Sequence, residues 1–328
     1  MIEAALAGLA AFGLSVAGTR AAIAWLLHRR YLDHPNERSS HSSPTPRGGG
    51  LAVTPAILLA WGGLALVRGG QGLDLALMAG AALLMALSWW DDRHSLPAAP
   101  RFAVHGLAVA AGLAVIPAES LVFQGWLPLW ADRLIAGLGW LWFLNLYNFM
   151  DGIDGITGIE TAAIGLGLVV VAPLPQVAGP AAICACAGLG FLVWNWHPAR
   201  IFLGDSGSIP LGFLLGGLLV QLAAAGQLAA ALILPAYYLA DATITISRRA
   251  LAGEKIWQPH RKHFYQRAVQ GGRNHAQVSL AILGGNAVLV LAAIAATGGL
   301  VLPATLVAVT AVAVLLGLLQ RWSRGDAA

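Results

Sequence analysis

The stretch NLYNFMDGIDG, residues 145–155, closes an apolar run from Leu134 to Met150 that is typical of a membrane-spanning helix. Its polar side chains recur at every third residue: Asn145, Asn148, Asp151 and Asp154. On an α-helix each such step turns the side chain by about 60°, and a tighter final turn would bring the four closer into line. Two carboxylates at a membrane boundary are costly unless water or a cation meets them. The stretch is therefore either a helix end facing water or a site for a cationic or hydrogen-bonding ligand.

The composition of the whole chain indicates a membrane protein. Of its 328 residues, 58% are hydrophobic and 10% are charged, and the mean hydropathy is +0.72, which excludes an ordinary soluble domain. Apolar runs near spanning length recur at 4–27, 51–67, 75–90, 102–117, 134–150, 158–174, 178–196, 208–224, 228–246, 278–296 and 299–320. We predict an all-α, polytopic helical membrane protein that has about 11 transmembrane helices and forms a single domain, residues 1–328.

The basic residues are distributed unevenly between the connections. If the spans alternate, the loops at 28–50, 91–101, 151–157, 197–207 and 247–277 and the C-terminus share one side of the membrane. These segments hold 16 of the 19 Lys and Arg residues. Short cytoplasmic loops carry such an excess in membrane proteins, so these loops are predicted to be cytoplasmic and the N-terminus to lie outside. The net charge of +4 then reflects topology, and no nucleic-acid partner is predicted.

Two further loops on this side carry acidic motifs. WWDDRH, residues 89–94, places Asp91 beside Asp92, and like charges so close raise the pKa of one carboxyl unless a cation lies between them. The pair is either a solvated turn or a general base with a metal-side carboxylate. FLGDSGS, residues 202–208, flanks Asp205 with glycines, which leave the carboxylate open to Mg²⁺ and a phosphate together.

The loop DHPNERSSHSSPTPRGGG, residues 33–50, combines basic residues with glycines. Arg38 and Arg47, beside three consecutive glycines, would suit an anion held by guanidinium and backbone N–H groups. A plain linker is the alternative, because proline and glycine forbid a regular helix here.

The loop EKIWQPHRKHFYQR, residues 254–267, places His260 and His263 three residues apart, with Arg261 and Lys262 between them. On one helix face the two histidines would clamp a diphosphate. As a basic amphipathic segment, the same residues would lie against anionic lipid.

The predicted topology brings these motifs from separate loops to one cytoplasmic face. The residues concerned are Asp91, Asp92, Asp151, Asp154, Asp205, His260 and His263. Carboxylates for Mg²⁺, together with basic groups and glycine-rich loops for phosphates, are what phosphoryl transfer requires. A site at the inner surface of the membrane implies one water-soluble anionic substrate and one lipid substrate.

The motifs resemble, in content and order, those of the polyprenyl-phosphate N-acetylhexosamine-1-phosphate transferases, the MraY/WecA family. The matching segments are DxPNxR at 33–38, PTPRGGG at 44–50, DD at 91–92, NxxNFMDGIDG at 145–155, FxGDSG at 202–207 and HxxH at 260–263. The resemblance covers most of the chain. It implies a multi-pass enzyme of the bacterial inner membrane that transfers a sugar 1-phosphate from a UDP-N-acetylhexosamine to undecaprenyl phosphate and releases UMP. It also implies Mg²⁺ as the cofactor, with Mn²⁺ as an alternative.

The resemblance also implies roles for particular residues. Asp91 would deprotonate or orient the lipid phosphate with support from Asp92, and Asp205 would bind the metal together with Asp92. His260 and His263 would act at the diphosphate. The implied nucleotide-binding residues are Asn148, Asp151 and Asp154. The residues predicted from the basic loops themselves to bind phosphate are Arg38, Arg47, Arg261 and Lys262.

The loop His260-Arg-Lys-His263 departs from the uninterrupted histidine triplet of the peptidoglycan branch of this family. The difference favours the branch that begins O-antigen or related surface glycans. That branch usually has a further histidine where this chain has Lys262, which is a second departure. A phospho-N-acetylmuramoyl-pentapeptide transferase is the alternative, and a homodimer is left open. A transporter of anionic metabolites is a more remote alternative, since transporters usually place binding residues on broken helices near the bilayer midplane.

Overall fold

The computed structural model describes residues 2–35, 43–70, 72–94, 96–256, 258 and 260–325. Within these residues nearly all regular structure is helical. The helices are α1 (Ile2–Arg29), α2 (Gly50–Arg68), α3 (Gly72–His94), α4 (Ala98–Ala114), α5 (Leu129–Phe149), α6 (Ile156–Val171), α7 (Pro175–Asn195), α8 (Asp205–Leu222), α9 (Leu228–Ile233), α10 (Ala236–Leu251), α11 (Phe264–Gln270), α12 (His275–Thr297) and α13 (Val301–Trp322). Two short strands, β1 (Leu32–Asp33) and β2 (Thr45–Pro46), pair antiparallel.

Seven helical stretches in the described part of the chain are long and apolar enough to cross a membrane. They are α1, α2, α3, α7, the stretch Asp205–Ile233 that contains α8 and α9, α12 and α13. Helices α4 and α6 are apolar but shorter. The chain is therefore an integral membrane protein of the all-α, polytopic class, as predicted, while the number of spans stays a prediction.

Helix α8 lies inside the bundle and is buried along nearly its whole length. Small residues allow this, because they let neighbouring backbones approach closely. A Cβ at Gly212 would lie 2.9 Å from Leu144 Cα of α5. Along the same contact, Trp140 stacks on Phe213 with ring centroids 5.0 Å apart and donates its indole N–H to the Phe213 carbonyl at 2.8 Å. This packing fixes the end of α5 beside the start of α8.

One expected break is present, and one element boundary differs from the prediction. Residues 208–224 and 228–246 were expected to be separate, and the helix is broken between them, within the segment Ala223–Gln227. Gly226 has φ +88°, which is not a helical conformation, so α8 and α9 are two helices that meet at a kink. Helix α3 extends to His94, so Asp91 and Asp92 lie on its last turns rather than in the loop expected from residue 91 onward.

Candidate active site

A cavity of about 850 Å³, called here the main cavity, opens where the end of α5, the start of α8 and the segment before α11 meet. Residues of four sequence motifs line it: Arg47, Asn148, Asp151, Asp154, Asp205, His260 and His263. Asp91 and Asp92 do not belong to the lining, but each lies within 4 Å of an arginine that does. The structure thus brings together motifs that are far apart along the chain.

Arg47 is held at the cavity by a connection between two glycine-containing loops. The Gly50 N–H donates to the Leu203 carbonyl at 2.9 Å. Glycine is required there, because a Cβ on Gly50 would lie 2.1 Å from the Gly207 nitrogen at the start of α8. The close approach places Arg47 beside the first residue of that helix, Asp205.

The Arg47 guanidinium joins two carboxylates. Its Nη2 donates to Asp205 Oδ1 at 2.6 Å and lies 3.9 Å from Asp92 Oδ1. Burial on its own lowers the pKa of Arg47, but the charges of Asp205 and Asp92 outweigh it and raise the pKa above its ordinary value. The guanidinium therefore stays charged, and it pairs closely with Asp205 and more distantly with Asp92.

The carboxylate oxygens of Asp92 and Asp205 are suitable ligands for a Mg²⁺ or Mn²⁺ ion. Both ions prefer carboxylate oxygens. In the structure the two carboxylates already converge on one positive group. They are the residues that would hold the metal implied by the sequence motifs.

Asp91 faces a different arginine. Its Oδ2 accepts a hydrogen bond from Arg101 Nη1 at 2.6 Å, and its Oδ1 accepts one from the Leu96 N–H at 2.6 Å. Arg101 itself lines the main cavity. The adjacent carboxylates of Asp91 and Asp92 are thus compensated by separate guanidinium groups.

The helix ends partway through the stretch 145–155. Helix α5 ends at Phe149, and a single tight turn follows, in which the Asp151 N–H donates to the Asn148 carbonyl at 3.2 Å. Asn148 therefore belongs to the helix, whereas Asp151 and Asp154 lie in an irregular loop. Asn148 Oδ1 accepts a hydrogen bond from Ser208 Oγ at 2.7 Å, which ties this side chain to α8.

Asp151 carries a shifted pKa. Burial raises the pKa of its carboxyl to about 6, against the opposing effects of a hydrogen bond from Thr157 and the charge of Arg47. The Thr157 hydroxyl donates to Asp151 Oδ1 at 2.6 Å. Positive charge brought into the cavity would favour the ionised form.

Asp154 is surrounded by hydrogen-bond donors and histidines. Its Oδ2 lies 2.6 Å from His197 Nδ1 and accepts the Ala199 N–H at 3.1 Å. Its Oδ1 lies 3.1 Å from His275 Nδ1. Burial raises the pKa of Asp154, but the contacts with His275, His197 and Ala199 outweigh it and bring the pKa below its ordinary value. Asp154 is therefore an ionised carboxylate at neutral pH.

His263 is oriented by Asp241, an acid of α10. His263 Nδ1 lies 3.1 Å from Asp241 Oδ1, and both side chains are almost fully buried. The same carboxylate accepts four further hydrogen bonds, from Phe264 N–H, Tyr265 N–H, Tyr237 O–H and Thr245 O–H. A carboxylate held by so many donors is fixed in position, so it fixes the imidazole in turn.

The four residues from His260 to His263 are not helical. His263 is the N-cap of α11, so the two histidines do not share a helix face as predicted; their rings still lie 4.8 Å apart. Burial, and then the charge of His263, lower the pKa of His260 to about 4, so this imidazole is neutral at physiological pH.

Arg261 and Lys262 point away from the main cavity. They line a second cavity of about 350 Å³, where Lys262 Nζ lies 2.5 Å from Glu254 Oε1. Arg38, the remaining predicted phosphate-binding residue, lies outside the described residues. Of the predicted phosphate-binding set, Arg47 alone among the described residues lines the main cavity.

Four contributors to this site were not predicted. They are Arg101, which pairs with Asp91; Asp241, which holds His263; and His197 and His275, which contact Asp154. The sequence could have indicated Asp241, because an acidic residue within an apolar run usually has a function. No spacing rule links Asp154 to the two histidines, which come from other loops.

Comparisons with known proteins bear on the same region. The family model described as Glycosyl transferase family 4 matches residues 75–223. A decaprenyl-phosphate N-acetylglucosaminephosphotransferase of Mycolicibacterium smegmatis is 32% identical over 296 residues, which covers 76% of this chain and 71% of that protein.

Two further relatives differ in the reaction that their names describe. A probable undecaprenyl-phosphate N-acetylglucosaminyl 1-phosphate transferase of Bacillus subtilis is 28% identical over 268 residues, covering 76% of this chain and 73% of its own length. A phospho-N-acetylmuramoyl-pentapeptide-transferase of Thermosynechococcus vestitus is 32% identical over 203 residues, covering 54% of this chain and 52% of its own.

Proposed function

Because the chain belongs to glycosyl transferase family 4, we propose that it transfers an N-acetylhexosamine 1-phosphate from a UDP-sugar to undecaprenyl phosphate and releases UMP. In this reaction an oxygen of the lipid phosphate attacks the phosphorus that carries the sugar, and the bond from that phosphorus to the UMP oxygen breaks. One relationship carries the proposal: Arg47 joins the carboxylates of Asp92 and Asp205 beside a cavity that the stretch 145–155 also lines.

The main cavity is the proposed site of the UDP-sugar. Asn148, Asp151 and Asp154 form its nucleotide wall, and Arg47 meets the diphosphate, since guanidinium groups match phosphate oxygens well. Asp92 and Asp205 would hold a Mg²⁺ or Mn²⁺ ion, which would supply positive charge against the diphosphate.

Asp91 is proposed to orient the lipid phosphate through Arg101. Its carboxylate already holds that guanidinium at 2.6 Å, and Arg101 lines the cavity. A cation so placed would draw the lipid phosphate toward the sugar-bearing phosphorus, which positions the nucleophile for in-line attack.

His263 is proposed to act at the diphosphate with its second nitrogen. Because Nδ1 faces Asp241 and the residue lines the cavity, Nε2 is the atom left for a phosphate oxygen. His260, neutral and next to it, contributes a hydrogen bond rather than a charge.

The direct test uses purified protein with undecaprenyl phosphate, Mg²⁺ and a panel of UDP-sugars. The panel contains UDP-N-acetylglucosamine, UDP-N-acetylgalactosamine and UDP-N-acetylmuramoyl-pentapeptide. We expect UMP and a lipid-linked sugar diphosphate to form in equal amounts with an unmodified N-acetylhexosamine donor, and neither to form with Asp205→Asn. Failure to release UMP with any donor, from protein that still binds the nucleotide, would refute the transferase.

The panel also separates the two branches of the family. The interrupted His260-Arg-Lys-His263 loop supports the first membrane step of O-antigen or a related surface polysaccharide. The similarity to a phospho-N-acetylmuramoyl-pentapeptide-transferase makes the peptidoglycan reaction the second candidate. Preference for the pentapeptide donor would establish that second reaction.

The proposed location is the bacterial inner membrane, with the site on the cytoplasmic face. The excess of Lys and Arg in the loops of that side supports this orientation. In a background without Cys184 and Cys186, Lys255→Cys should resist an impermeant thiol reagent added to intact cells, while Glu119→Cys should react. The reverse labelling pattern would invert the orientation.

A further inference from the structure

Three side chains that can bind a metal meet at one wall of the main cavity. Asp154 comes from the loop after α5, His197 from the loop after α7, and His275 is the first residue of α12. Each offers a ligand atom, and these atoms all lie within 4.8 Å of one another. Two of the three residues are buried and His197 is half-buried.

His275 Nδ1 faces two groups of Asp154. The Asp154 N–H points at this nitrogen at 3.2 Å, and Asp154 Oδ1 lies 3.1 Å from it. The imidazole nitrogen and the carboxylate oxygen are thus close enough to bind one metal ion together.

We propose that Asp154, His197 and His275 form a binding site for a transition-metal ion such as Zn²⁺. Two imidazoles and one carboxylate suit Zn²⁺ or Co²⁺, whereas Mg²⁺ prefers an all-oxygen set such as Asp92 and Asp205. The two donor sets share no residue, so this site is additional to the metal of the proposed transfer reaction.

The surrounding contacts hold the three ligands in place without an ion. The Ser279 hydroxyl donates to the Asp154 carbonyl at 2.9 Å, and the Gly155 N–H donates to Asn195 Oδ1 at 2.9 Å. The Ala199 N–H orients the carboxylate. Such outer contacts pre-organise a metal site. A bound ion would fasten three separate segments of the chain, and with them the wall of the cavity that Asp154 and His275 line.

Metal-stripped, full-length protein in detergent tests the site. Co²⁺ is titrated in the presence of excess Mg²⁺ and followed by its visible ligand-field absorption, and Zn²⁺ then competes for it. We expect one Co²⁺ per chain to bind in a form that Zn²⁺ displaces and Mg²⁺ does not. His197→Gln and His275→Gln should each weaken binding by at least about 100-fold, because even an outer-shell change costs about 10- to 100-fold.

The controls separate this site from other histidines and acids. His260→Gln and Asp205→Asn should bind Co²⁺ as the wild type does. Zn²⁺ X-ray absorption of the wild type should show two imidazole ligands, a result that does not depend on how well a variant folds. Absence of binding by the wild type, or unchanged binding by both His197→Gln and His275→Gln, would overturn the proposal and leave a hydrogen-bonded triad. The assay uses neither UDP-sugar nor lipid, so its outcome is independent of the proposed transfer.

Discussion

Arg47 and Asp205 lie 158 residues apart in the sequence, yet Arg47 Nη2 donates to Asp205 Oδ1 at 2.6 Å. The pair forms because the loop before α2 is hydrogen-bonded to the loop before α8, where Gly50 and Gly207 approach closely. Asp92 approaches the same guanidinium from α3. One arginine therefore contacts two acids at the cavity edge, and the charges there depend on each other.

Replacement of Arg47 tests this balance. Arg47→Gln should lower the rate of UMP release by at least about 100-fold, the loss typical of removing one electrostatic stabiliser from an active site. Arg47→Lys should recover part of the rate, because it keeps the charge but loses the guanidinium geometry.

Arg200→Gln is the matched control, since Arg200 is exposed and stacks on Trp194 outside the main cavity. Its rate should equal that of the wild type. An Arg47→Gln enzyme with more than about a tenth of the wild-type rate would remove Arg47 from the proposed anion site.

The pKa of Asp151 predicts how stability changes with pH. The folded-state pKa of about 6 lies above the ordinary value of 3.8, so the folded protein holds this proton more tightly than the unfolded chain. The Asp151 carboxyl therefore contributes fully to the free energy of unfolding at low pH. This contribution falls as the pH rises through 6, by at most about 3 kcal/mol in total. Asp151→Asn should not show this loss.

The measurement is the melting temperature of both proteins in detergent between pH 4.5 and 7.5, without ligand. The advantage of Asp151→Asn over the wild type should grow as the pH rises. Thr157→Val should enlarge the wild-type loss, because it removes the hydrogen bond that favours the ionised carboxyl. Parallel pH curves for wild type and Asp151→Asn would show that Asp151 ionises normally.

The sequence was sufficient for the fold class and for seven of the side chains that line the main cavity. The length of an apolar run is enough to locate a helix. When successive spans cross the membrane in opposite directions, every second connecting loop lies on the same side. The pairing partners within the site were not predictable, because they depend on where helices end and which faces meet. Asp91 illustrates this: its carboxylate was identified, but its contact with Arg101 depends on the packing of α3 against α4.

The basic loop at residues 254–267 shows where spacing along the sequence is misleading. Spacing alone placed Arg261 and Lys262 with His260 and His263, but the chain there is not helical, and Arg261 and Lys262 line a different cavity from the two histidines. The break expected between residues 224 and 228 is present, because Gly226 leaves the helical conformation there.

Asp241 is predicted to act as a positioning residue for His263. Asp241→Asn keeps the shape of the side chain but replaces one acceptor oxygen with a donor, which disturbs the imidazole tautomer. Turnover should fall by about 100-fold, and the pH dependence of the rate should change. Because the two residues act as a unit, His263→Gln combined with Asp241→Asn should lose little more than either alone.

Thr245→Val is the matched control for Asp241. It removes a single hydrogen bond to the same carboxylate and leaves the contact with His263 in place. Its rate and pH profile should stay close to those of the wild type. Additive losses in the Asp241→Asn, His263→Gln double variant would show that Asp241 acts through folding and not through His263.

Glu160 of α6 and Asn286 of α12 form a fully buried polar pair, with Asn286 Nδ2 donating to Glu160 Oε2 at 2.6 Å. Among the described residues, neither Glu160 Oε1 nor Asn286 Oδ1 has a hydrogen-bond partner. Asn286→Leu would leave a buried carboxyl group alone and should destabilise the protein by about 1–3 kcal/mol. Replacing both residues with leucine should restore the melting temperature, since no polar group then remains unpaired. If the double variant melts at or below the temperature of Asn286→Leu, the pair contributes stability that apolar packing does not replace. If it melts normally but no longer releases UMP, the pair serves the reaction rather than the fold.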